Sequence, residues 1–96
     1  MLIDKGATIG EVVTLKLVTS EELVGKFIEE TATHYVIERP LTLVMSAKGL
    51  GLQPWLFTVN DQKPVKIPKE KVIILAATLD EMSKNYLSGT SGIALA

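Results

Sequence analysis

The sequence predicts a mainly β domain: a small, strongly bent five-stranded antiparallel barrel with a short C-terminal helix. Three observations predict it. Apolar and polar residues alternate over several short segments, the period of a strand with one buried face. Tight polar turns separate those segments, which favours antiparallel neighbours. Gly25 and Pro40 interrupt two of the segments in mid-course, where a sheet that closes on itself must bend. Closure buries the apolar face and leaves less open edge.

The chain is expected as a single domain: an N-terminal arm (1–10), the barrel (11–77), the helix (78–89) and a flexible tail (90–96). The first strand is "EVVTLKLV" (11–18), with Val13, Leu15 and Leu17 on one face. "TSE" turns the chain into "ELVGKFIEET" (22–31), where Leu23, Gly25 and Phe27 share a face. The third strand, "HYVIERPLTLVM" (34–45), is long and broken by Pro40, which cannot donate to a ladder. "SAKGLGLQP" (46–54) is expected as a glycine-rich loop and "WLFTVN" (55–60) as the fourth strand. "VKIPKEK" leads into the fifth, Val72–Ala77, whose continuous apolar run suits burial on both faces. Thr78 followed by Glu81 fits a capping box, and Asp80 suits a helix N-terminus. Leu79, Met82 and Tyr86 are expected on one helix face, with Gly89 at its end.

Composition narrows the function classes. Ten basic and 11 acidic side chains give a net charge of −1, so no strong overall field draws nucleic acid, although a local basic patch is compatible with it. There is no cysteine, hence no disulfide or thiolate metal site. The longest apolar run, Val72–Ala77, is far below the roughly 20 residues of a membrane helix. "MLIDKGATIGE" lacks a basic stretch followed by an apolar one, so cytoplasmic location is expected rather than secretion. A hydrophobic fraction of 47% is high for a small domain. It fits either apolar surface covered by a second copy or partner, or simply a greasy β domain.

The segment from Glu11 to Leu43, an apolar strand, a turn, a strand with a central glycine and then a bent strand, resembles the first motif of Sm-like proteins. "IPKEKVIIL" (67–75) stands where that family has its second motif. The chain is further similar to short Sm-like proteins of marine cyanophages, which also carry an extra loop before "PW"; a phage origin would place it in the host cytoplasm. The resemblance implies an SH3-like barrel in a homo-oligomeric ring of about five to seven subunits, closed by cyclic symmetry. It implies that the fourth strand of one copy pairs with the fifth of the next, here through Trp55, Phe57, Val59, Val72 and Ile74. The alternative is a monomeric barrel whose edges are covered by the arm or the helix.

The resemblance also implies single-stranded RNA in the pore. The family's acidic, stacking and asparagine positions fall on Thr31, Thr33 and Tyr35, and its arginine-glycine pair on Pro68 and Lys69. None of the five carries the family's usual residue. With the turn shifted by one, His34 and Tyr35 can stack a base, and Lys66, Lys69 and Lys71 can meet phosphates, since both contacts tolerate any sequence. Each has a plainer role: His34 as a surface residue, Tyr35 in the barrel wall, the lysines as edge-protecting charge, Trp55 as a core or interface anchor. A ring that contacts proteins and has no RNA pocket is therefore the alternative function. No cofactor or metal is expected, because one histidine without cysteine cannot build a cage. No enzyme is expected either, because neighbouring carboxylates such as Glu29 and Glu30 point to opposite faces of a strand.

Overall fold

The computed structural model describes residues 7–60 and 62–90. They form one antiparallel sheet of six strands: β1 (Val12–Leu17), β2 (Glu22–Glu30), β3 (His34–Ser46), β4 (Gly49–Pro54), β5 (Val65–Pro68) and β6 (Val72–Ala77). One helix follows, α1 (Asp80–Thr90), and it is too short to cross a membrane. The strand order is β4-β3-β2-β1-β6. On the edge of β3 away from β2, β4 pairs with Leu41–Ser46 and β5 with His34–Ile37. A single 3₁₀ turn, Lys69–Lys71, carries the chain from β5 beside β3 to β6 beside β1. It thereby links the two far sides of the sheet. Its exit is pinned where the Val18 amide donates to the Lys71 carbonyl at 2.9 Å.

The bend lies where Gly25 was expected to serve it. Val24 pairs with Leu41 and Lys26 with Glu38, so Gly25 alone faces both Arg39 and Pro40. This is a bulge in β3, and Arg39 takes a left-handed φ of +50° to make it. Pro40 has no N–H to lose, so a bulge is where a strand tolerates it. The backbones approach closely: a β-carbon on Gly25 would lie 2.3 Å from Ile37 Cγ2 and 3.2 Å from the Glu38 carbonyl oxygen. Only glycine fits.

The two faces of the sheet hold two apolar clusters. Val13, Leu15, Leu17, Leu23, Phe27, Ile37 and Ile67 are buried together inside the curve. Val12, Val24 and Tyr86 are buried on the other face, where Leu41 and Leu52 of the sheet and Met82 of α1 pack against them. The Tyr86 hydroxyl donates to the Glu38 carbonyl at 2.6 Å. The alternation read for the first two strands holds, as does the pairing of Met82 with Tyr86 on the helix.

The sheet has six strands where five were expected, because Gly49–Pro54 and Val65–Pro68 both pair with β3, and further expectations are corrected. The stretch 46–54 is not a loop: Ser46 and Gly49 flank a two-residue turn, and Gly49–Pro54 pairs residue for residue with β3. Its glycines are tolerable because it is an exposed edge strand with little to pack. Conversely, 55–60 is irregular chain, not the fourth strand. Trp55 packs on the core, but Leu56, Phe57 and Val59 face solvent, and the Asn60 side chain and carbonyl organise a turn by accepting from the Gln62 and Lys63 amides. Strand β6 is not buried on both faces. Its pairing with β1 slips one residue at Ile73, so Ile73 and Ile74 are 60% and 56% exposed in succession. Finally, Thr78 caps no helix: its hydroxyl bonds that of Thr14 at 2.8 Å, while Leu79 stays 82% exposed. Gly89 lies inside α1, and the tail expected at 90–96 falls outside the described residues except for Thr90.

Two predictions follow from this packing. Gly25→Ala should destabilise the protein by about 1–3 kcal/mol, the usual cost of overpacking. That cost should shrink in an Ile37→Ala background, measured as a double-mutant cycle in urea, because the clashing methyl is gone. Burial pushes the Tyr86 hydroxyl up to about 12, against a smaller opposing pull from a backbone hydrogen bond with Lys26. Its neutral form is therefore favoured by folding. The associated stability is complete below the ordinary phenol value near 10 and is lost as pH rises towards 12. Tyr86→Phe should cost about 1–2 kcal/mol at neutral pH and abolish that alkaline loss.

Candidate functional site

The turn between β2 and β3 is built by Thr31. Its hydroxyl oxygen accepts from the His34 amide at 2.9 Å and the Thr33 amide at 3.3 Å, and its own amide donates to the His34 carbonyl. Threonine favours this local arrangement, which closes a turn without glycine. Thr33 Oγ1 lies 2.7 Å from His34 Nδ1. Both threonine side chains are thus engaged within the turn.

Strand β5 delivers the second half. His34 pairs with Pro68, Tyr35 with Ile67 and Val36 with Lys66, and the Lys69 amide donates to the Thr33 carbonyl at 2.9 Å. Residues more than thirty positions apart in sequence therefore share one corner: Thr31, Thr33, His34, Tyr35, Pro68 and Lys69. The Lys69 ammonium bonds Glu30 Oε2 at 2.6 Å and sits 5.4 Å from the centre of the Tyr35 ring. Tyr35 is half-buried and packs on the inner core. A concavity of ≈ 470 Å³ adjoins it, lined by Phe27, Tyr35 and Leu75 with the carboxylates of Glu11 and Glu30.

Lys66 and Lys71 do not line this concavity. Both are exposed and border a smaller apolar recess beside Trp55, Leu17 and Val65. The Thr19 hydroxyl, and after it the Glu21 backbone, hold the Glu21 carboxyl below its ordinary value. Of the residues expected at a subunit contact, Val72 and Trp55 are half-buried against the core, while Ile74, Phe57 and Val59 are open to solvent. No group of three or more metal-ligating side chains converges among the described residues.

Glu30 belongs to this corner and escaped the sequence reading. It stands next to Glu29 as one of a pair pointing apart, and only the β3–β5 pairing brings Lys69 to it. The arrangement offers an aromatic edge, an imidazole and one ammonium that is already matched by a carboxylate. It can present hydrogen-bonding and stacking surface.

The ion pair is solvent-facing and should contribute under about 1 kcal/mol. Glu30→Gln should therefore change urea stability less than Thr31→Ala, which removes acceptors for two amides and should cost about 1–2 kcal/mol. The reverse ranking would make the ion pair the element that holds the corner. Compared with protein-family models and with curated proteins, the chain finds no match.

Proposed function

We propose that the chain is a subunit of an Sm-like ring, an SH3-like barrel that assembles edge to edge and binds single-stranded RNA at its pore. The observation that carries the ring is a pair of open strands on opposite sides of one sheet. Among the described residues, strand β4 pairs only with β3, and β6 only with β1. Open edges are a liability for a free monomer, and β6 adds two exposed isoleucines to its own. Pairing β6 of one copy with β4 of the next satisfies both. This pairing uses Gly49–Pro54, with 55–60 flanking it, in place of the 55–60 strand expected from the sequence. Val72 and Ile74 lie on one side of the contact, and Trp55, Phe57 and Val59 border the other.

The RNA part rests on the corner where the β2–β3 turn meets the 3₁₀ turn, with His34 and Tyr35 for a base and Lys66, Lys69 and Lys71 for phosphates. Lys69 must exchange Glu30 for a phosphate, which makes this a weak, salt-sensitive contact. The second reading is an adaptor ring without RNA. Met45 and Leu50, paired across the tip of the β3–β4 hairpin and both exposed, favour it as a protein-contact surface.

Light scattering should give a native mass several times 10.4 kDa that persists on dilution, and Ile74→Lys should reduce it to the monomer. A wild-type monomer would overturn the ring. Uridine- or adenine-rich oligonucleotides should bind with a slope of about −2 in log affinity against log salt, the value for three lysines on a single strand. A ring that binds neither at low salt would leave the adaptor reading.

A further inference from the structure

A second concavity lies away from that corner, on the face of the sheet that carries α1. Its volume is ≈ 560 Å³, within the range of small-molecule sites. Three elements wall it: the junction of β3 and β4 with Leu41 and Leu52, the irregular stretch with Leu56 and Val59, and α1 with Met82. The walls are apolar, yet Leu56 and Val59 are exposed and no described side chain covers them.

The charge on the groove is one-sided. Arg39 and Lys63 line it, and no acidic side chain among the described residues does, although the chain has more acids than bases. The remaining polar lining is neutral: Gln53, Asn85 and Ser88. Asn85 and Gly89 stand three and seven positions after Met82, the spacing of one helix face. A β-carbon on Gly89 would meet no atom within 4 Å, so the groove is open at that end.

We propose that this groove binds a small amphiphilic anion: an apolar body such as a medium-length acyl chain, with one carboxylate-type head met by Lys63. Arg39 adds positive charge to the lining. Apolar walls supply affinity by area, and the exposed Lys63 ammonium selects the head group. A flat apolar patch would suit a protein partner; a walled groove of this volume suits a molecule that inserts its body. The site shares no residue with the RNA corner and does not depend on that reading; Val59 and the Gly51–Pro54 part of β4 also border the proposed subunit contact, so binding is measured on the native assembly.

The test is calorimetric titration of the full chain, in its native assembly, with decanoate, decanol and decyltrimethylammonium. These probes share a chain length and differ in head charge. Decanoate should bind at least tenfold more tightly than the cation and more tightly than the alcohol. Lys63→Glu, at an exposed position, should weaken decanoate at least tenfold and narrow or reverse that preference. Gly89→Leu should weaken all three probes, because it adds a side chain at the groove wall without displacing a neighbour. Equal binding of the three probes, decanoate affinity unchanged in Lys63→Glu, or no decanoate binding at millimolar concentration would each overturn the proposal.

Discussion

At Gly25 the backbone of β2 crosses β3 with no room for a β-carbon, and the rest of the fold depends on that crossing. The side-chain methyl of Ile37 fills the space from the core side, and the Glu38 carbonyl and Pro40 close it from the strand side. With two residues of β3 facing one of β2, the long strand turns sharply and divides into two halves. One half takes β4 as its partner and the other takes β5. Without the bend, a straight thirteen-residue strand would not offer its two halves to partners lying in different directions. The left-handed Arg39 is the local cost, of order 1–2 kcal/mol for a non-glycine residue. The buried cluster on the concave side offsets it, since each fully buried Leu or Ile contributes about 1.5–3 kcal/mol.

The same bend fixes what the surface can do. Because β5 is held beside His34–Ile37, the turn after it is delivered against the turn between β2 and β3. Hydrogen bonds inside those turns consume the threonines, and Glu30 holds Lys69. The corner is thus well formed but nearly self-satisfied, which is why the proposed RNA contact rests on exchange of an ion pair rather than on a vacant charge. The edges are in the opposite condition. One is a glycine-rich strand with little side chain, the other an apolar strand whose slip at Ile73 turns two isoleucines outward. A thin edge and a greasy edge are complementary in bulk, and backbone pairing between them needs no particular side chain.

The outer face follows a different logic. Helix α1 is short and lies over Val12 and Val24, anchored by a phenol that donates to a strand carbonyl. It covers only part of that face. The chain leaving β4 at Pro54 sinks Trp55 into the core and then wanders, so its next apolar side chains have no strand to pack against. The groove exists because neither the helix nor this stretch fills the space between them.

Much of this was legible in the sequence. Val13, Leu15 and Leu17, then Leu23 and Phe27, record by their alternation which face of each strand is buried, and Gly25 and Pro40 mark the bend. Met82 and Tyr86, four apart, mark the helix face. These are local properties, written wherever a residue's own neighbours decide its environment. Four features were not legible. Gly49–Pro54 looks like a loop because glycine is read as a break, and only the waiting edge of β3 makes it a strand. The stretch 55–60 looks like a strand because its aromatic and β-branched residues suit one, yet among the described residues it joins no ladder. Ile73 and Ile74 look like core until a one-residue slip against β1 turns them out. Glu30 and Lys69 become neighbours only when β5 docks. Each of these follows from long-range pairing and its register, and a one-dimensional pattern does not carry that information: local alternation sets which faces favour burial, and pairing across the sheet sets which of them are buried.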